Sequence, residues 1–110
     1  MRSTVVAAAA ISPVVFPTLG VAGPFSLHGQ ERWIVFASRR TQVEAVRDAD
    51  QLSWKSIHGV RVVRAVNGWF AVIAGPTHVA DPSAVRSDFV RKGAPTDLLF
   101  SRGDTYEAGV

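Results

Sequence analysis

The sequence predicts an α+β domain whose elements follow in the order β-α-β-β-α-β. Three observations predict it. Val60 to Pro76 reads V-R-V-V-R-A-V-N-G-W-F-A-V-I-A-G-P, two β-branched, apolar runs on either side of Asn67-Gly68. A two-residue Asn-Gly loop is a strong hairpin signal, because a type I′ turn needs φ > 0 at both central residues. Before it, a β-rich run is followed by a capped amphipathic stretch; after it, Asp81-Pro82 opens a second helical stretch that leads into a short apolar run.

Residues 1–22 differ from the rest. Arg2 is a minimal positive start, Thr4 to Ala22 carries no charge, and Val21-Ala22 follows Gly20 with small residues where a signal peptidase cuts. A secretory signal ending at Ala22 is expected, against the alternative of an N-terminal arm. Pro13 and Pro17 interrupt the run and argue against a membrane-spanning helix. Residues 23–31 read as a linker, 32–103 as the domain and 104–110 as a polar tail.

Arg32 to Arg39 (R-W-I-V-F-A-S-R) is the first strand. Thr41-x-x-Glu44 is a capping box, so a helix runs from Thr41 to Leu52. Val43, Ala45, Val46, Ala49 and Leu52 give it an apolar stripe, with Arg47, Asp48 and Gln51 toward water. Ser53 to Gly59 connects, with Trp54 folding back on the core. In the hairpin, a type I′ turn sets Val66 opposite Trp69, Arg64 opposite Ala71 and Val62 opposite Ile73. Gly75-Pro76 stops the third strand. Asp81 caps the second helix with Pro82 at its first position, Val85, Phe89 and Val90 form the buried stripe, and Gly93 ends it. Thr96 to Ser101 is the fourth strand.

This order is the ferredoxin-like, RNP-like arrangement: a four-stranded antiparallel sheet in order 4-1-3-2 with two helices on one face. The other face is then open, yet the central strands are apolar on both sides. Exposed apolar patches of this kind mark an interface or a ligand surface. The N-terminal arm, the C-terminal tail or a second copy could also cover it.

Ile34-Val35-Phe36-Ala37-Ser38 before a helix resembles the opening strand of SPOR domains, commonly V-Q-V-G-S. Phe70-Ala71-Val72-Ile73-Ala74-Gly75-Pro76 resembles their third strand, commonly Y-R-V-R-V-G-P. The resemblance spans residues 32–103. It implies a non-catalytic bacterial envelope module, exported to the periplasm, that binds peptidoglycan glycan strands and concentrates at cell-division sites, with no cofactor. It also implies that Ile34, Phe36, Phe70, Val72 and Ala74 face the helices. Trp33, Val35, Ala37, Arg39, Arg64, Trp69, Ala71 and Ile73 are left for the glycan-binding face. Val35, Ala71 and Ile73 stand where the family often has polar residues, which also points to a protein partner, an envelope protein or a second copy.

Other chemistry is poorly represented. The chain has no cysteine, and His28, His58 and His78 have no metal-ligand spacing. No carboxylate pair, nucleophile motif or Gly-rich phosphate loop is set out by the sequence, and Arg102-Gly103-Asp104 reads as a coincidental tripeptide. Twelve basic against nine acidic residues give a net charge of +3, which permits an anionic partner without requiring one. An RNP-type nucleic-acid module shares the element order, but the R-G-F-x-F-V-x-F consensus is absent and an exported chain meets no RNA. A structural domain that dimerises through its open face is the remaining alternative.

Overall fold

Among the described residues, five antiparallel strands and two helices build an α+β domain. The computed structural model describes residues 23–110, so the expected signal segment, residues 1–22, lies outside the described part. The elements are β1 (Glu31–Arg39), α1 (Gln42–Trp54), β2 (Arg61–Ala65), β3 (Phe70–His78), α2 (Pro82–Arg91), β4 (Leu99–Ser101) and β5 (Tyr106–Gly109). They form one sheet in the order β4-β1-β3-β2-β5, with every neighbouring pair antiparallel. Among the described residues, no helix is long and apolar enough to cross a membrane.

The fifth strand corrects the expectation of a polar tail. A turn returns the Tyr106 N–H to the Gly103 carbonyl at 3.2 Å, and the chain then runs along the free edge of β2. Val66 N–H donates to the Thr105 carbonyl at 2.8 Å and Val110 N–H to the Val62 carbonyl at 3.0 Å. Pairing of this kind blunts an otherwise reactive sheet edge. Only one aromatic residue in this stretch, Tyr106, signals that it is anchored; it is buried.

Both helix starts form where local chemistry sets them. The Thr41 hydroxyl oxygen accepts from Glu44 N–H at 3.3 Å, while the Glu44 carboxylate accepts from the Thr41 hydroxyl at 2.9 Å instead of reaching back to the backbone. Asp81 accepts from Ser83 and Ala84 N–H at 3.1 and 3.3 Å, with Pro82 at the first helical position. Gly93, at φ +101, takes the left-handed position after α2.

Both helices pack on one sheet face. Ile34, Phe36, Val62, Val72 and Ala74 from the strands meet Ala45 and Leu52 of α1, with Val85, Phe89 and Val90 of α2 half-buried against them. Phe36 and Phe89 meet edge to face, 5.7 Å between centroids. Ile57 and Leu98 fill this core from the connectors, each fully buried aliphatic side chain contributing roughly 1.5–3 kcal/mol. The predicted α1 stripe is narrower than expected. Val43 is 68% and Val46 41% exposed, because Ala45, Ala49 and Leu52 define the inward face and the two valines are turned about 90° or more away from it at 3.6 residues per turn. Trp54 is 88% exposed, not folded back. The chain turns after it through Ser56 at φ 64, so that Ile57 enters the core in its place.

Two register features differ from the expected hairpin. Gly68 N–H donates to the Ala65 carbonyl and Ala65 N–H to the Trp69 carbonyl, both at 2.9 Å, which makes Val66-Asn67-Gly68 a three-residue loop. Gly68 alone of the three has positive φ, +86, as a type I turn closed by a glycine bulge requires. Pairing is therefore Val63 with Ala71, Val62 with Val72 and Arg64 with Phe70. A one-residue slip exchanges the faces of a strand. The third strand also does not stop at Gly75-Pro76: it passes through this cis bond and pairs Thr77 and His78 with Arg32 and Glu31.

Candidate functional site

The second sheet face begins as a period-2 pattern, and the β1–β3 register shifts twice, once beside Gly75-Pro76 and once at Phe36. Ile34 pairs with Ala74 and Val35 with Ile73, but Ala37, not Phe36, pairs with Val72. Phe36 is the extra residue of a β-bulge in β1, and alternation restarts after it. Ala37 consequently packs with the helix-side core, Ser38 pairs with Ala71 on the second face, and Arg39 pairs with Phe70. By the same alternation Arg40 comes beside Trp69, with its guanidinium 5.1 Å from the ring centroid.

Of the residues expected on the glycan face, Trp33, Val35, Ala71 and Ile73 do cluster on the second face, together with Val63. All but the half-buried Val35 are closed to solvent. The segment expected to be a linker crosses them as a strap, Gly23 to Gln30, and lays Phe25 and Leu27 onto the cluster. Trp33 is 5% and Phe25 9% exposed. Phe25 meets Trp33 edge-on at 6.0 Å and Tyr106 at 6.4 Å, and the Trp33 indole N–H donates to the Phe25 carbonyl at 2.7 Å. Burial raises the Tyr106 phenol above its ordinary pKa, with Ser101 acting in the opposite sense. The expectation of an open aromatic platform at Trp33 is thus corrected: the expected linker and tail cover it.

Three expected residues leave the face altogether. Ala37 and Arg39 turn to the helix side because of the Phe36 bulge. There they border a groove of about 180 Å³ between β1, α1 and Pro95, where Arg39 pairs with Asp48 at 2.5 Å. Asp48, by hydrogen bond and then by charge, holds the Arg39 pKa above its usual value. Arg64 leaves because of the three-residue loop, and pairs with Glu107 of β5 at 2.9 Å. Arg61 takes its place on the second face, opposite Ile73, with its guanidinium 5.2 Å from the Phe25 ring centroid.

What stays accessible is the end of the face near the hairpin. Trp69 is 36% exposed, flanked by Arg40 and Ser38, and the half-buried Val35 leads to Leu99 of β4, which is 61% exposed. An indole capped by a guanidinium, bordered by a hydroxyl and two aliphatic groups, can stack on a planar or ring-shaped ligand and donate hydrogen bonds at its rim. Ser38 and Arg40 are the sequence neighbours of Arg39, and the parity that selects Arg40 over Arg39 depends on the bulge. Among the described residues, no group of three or more His, Asp or Glu side chains is placed to hold a metal ion.

The chain is 40% identical over 84 residues to "Uncharacterized protein y4bJ" of Sinorhizobium fredii. The match takes in 74% of this chain and 13% of that protein, so the chain spans about an eighth of the relative's length. No family model and no solved structure matches the chain.

Proposed function

We propose that the chain is a SPOR-like binding module that takes peptidoglycan glycan strands on the hairpin end of its second sheet face. On this reading β4-β1-β3-β2 is a ferredoxin-like core, β5 is an appended strand, and the protein works in the periplasm as a non-catalytic envelope component. The observation that carries it is the half-exposed Trp69 under the Arg40 guanidinium, on the face opposite both helices. Trp69 is the stacking platform. Arg40 and Ser38 supply donors to sugar hydroxyl and amide oxygens, and the exposed Leu99 and half-buried Val35 extend the surface toward β4.

Sedimentation with purified peptidoglycan stripped of stem peptides tests this. The parent chain should pellet, and Trp69→Ala should pellet at least fivefold more weakly with an unchanged circular-dichroism spectrum. Loss of one stacking group at about 1–3 kcal/mol accounts for that factor if sugar stacking matches base stacking. A parent that stays in the supernatant, or a Trp69→Ala variant that pellets fully, would overturn the assignment. One observation favours a second reading, association with another copy: Leu99 is 61% exposed on β4, an edge strand. A Leu99→Lys variant that changes sedimenting mass, in a chain without glycan affinity, would select that reading.

A further inference from the structure

The covered half of the second face is occupied by the chain's own strap, and the way it is occupied has the form of a ligand in a site. Phe25 places a ring against two aromatic side chains, Trp33 and Tyr106, and under a third group, the Arg61 guanidinium. Its carbonyl oxygen accepts the Trp33 indole proton. Gly103 makes room for that carbonyl: a Cβ at this position would overlap the Phe25 oxygen and lie 2.7 Å from the Trp33 Nε1. A ring, a cation and an indole N–H aimed at a carbonyl oxygen are also the groups that hold an N-acetylated sugar.

We propose that the strap is an intramolecular cover that competes with the glycan for the sheet face, and that its release joins the Trp33 half to the Trp69 half as one continuous groove. The proposal rests on the glycan reading above. The strap is attached sparsely. Two hydrogen bonds cross from Phe25–Leu27 to the rest of the fold, the indole bond and Leu27 N–H to the Arg102 carbonyl at 2.9 Å. Neither belongs to a strand ladder; the strap's far end does continue the β1–β3 ladder, where Val79 N–H donates to the Gln30 carbonyl at 2.8 Å, so residues 23–28 can lift without unzipping the sheet. It also has a pivot. Gly29, at φ +60, lies near the strap's end in a turn closed by Glu31 N–H to the His28 carbonyl at 3.2 Å, with no atom within 4 Å of where a Cβ would be. Trp33, Val63, Ala71 and Ile73 are supplied by β1, β2 and β3, which the strap does not hold together.

The test loosens and locks the strap in the full chain. Phe25→Ala loosens it. The pair Leu27→Cys, Arg102→Cys locks it, at two positions joined by a backbone hydrogen bond in a chain that has no other cysteine. With denuded peptidoglycan, Phe25→Ala should pellet at least fivefold more tightly than the parent. The oxidised pair should pellet at least fivefold more weakly, and dithiothreitol should restore it. Equal affinity of the oxidised and reduced pair overturns competition, and so does a folded Phe25→Ala variant that binds no better than the parent. Should Phe25→Ala fail to fold, the reducible pair decides alone. A second readout separates this inference from the glycan reading. In a Trp54→Phe, Trp69→Phe background Trp33 is the sole tryptophan, and acrylamide should quench it more strongly in the reduced than in the oxidised pair. Greater quenching with no pelleting in any form would leave the opening cover and remove the glycan as its competitor. Equal quenching would remove the cover.

Discussion

Trp33 and Trp69 share a sheet face and have opposite surroundings. Trp33 is enclosed by Phe25 and the apolar residues of three strands, and its indole N–H is satisfied by a carbonyl. Trp33→Ala should cost about 3–5 kcal/mol, the range for deleting a buried large aromatic. Trp69 is 36% exposed and its defined contact is the Arg40 guanidinium. Trp69→Ala should cost about 0.5–1 kcal/mol, the worth of an exposed cation–π contact. Urea midpoints of the two variants give the comparison directly. A Trp33→Ala midpoint as high as that of Trp69→Ala would mean that Trp33 is not part of a core. Arg64→Ala belongs with the mild substitutions, since the exposed pair with Glu107 contributes at most about 1 kcal/mol.

At the scale of elements, the sequence reveals what is decided locally and hides what is decided by counting. Thr41 and Asp81 cap their helices within three residues, so both helix starts are legible from the chain. Ile34, Phe36, Phe70, Val72 and Ala74 all pack on the helix side, the set that the resemblance to SPOR strands implies and that alternation alone leaves open. Arg64 is misplaced because a two-residue and a three-residue Asn-Gly loop look alike in sequence and differ by one register step. Ala37 and Arg39 are misplaced because a bulge at Phe36 leaves no residue-type signature: phenylalanine suits either side of the break. The loop itself is testable. Gly68→Val puts a β-branched residue at φ +86 and should cost about 1–3 kcal/mol. Asn67 has no positive φ, and its side chain accepts from Trp69 N–H at 2.9 Å, so Asn67→Val should cost less, about 0.5–1.5 kcal/mol for one hydrogen bond. Equal thermal shifts for the two variants would restore the type I′ turn and with it the other register.

For the molecule as a whole, the sheet carries an apolar cluster on each face, and the second is completed by segments far apart in the chain, Phe25 before β1 and Tyr106 in β5. Neither segment shows a periodic pattern, which is why linker and tail were the natural readings. If the C-terminal strand is integral to the fold, stability should respond to the Tyr106 phenol, the one tyrosine of the chain. Its pKa lies above the ordinary 10.0, raised mainly by burial. Below pH 10 the phenol is neutral in folded and unfolded chains alike, and its contribution is fully present. Above pH 10 the unfolded chain gives up this proton first and binds fewer protons than the folded one, so stability falls as pH rises, until the folded phenol ionises too. Tyr106→Phe has no such proton. The difference in urea midpoint between parent and Tyr106→Phe should therefore be constant from pH 7 to 9 and shift against the parent above pH 10. Lysine and arginine titrations, common to both, cancel. Phenolate absorbance gives the same answer from the folded side, with an apparent pKa above 10 that returns to the ordinary value in urea. A folded phenol that titrates at its ordinary value, together with a flat midpoint difference up to pH 11, would detach the tail from the sheet and reopen the Trp33 face.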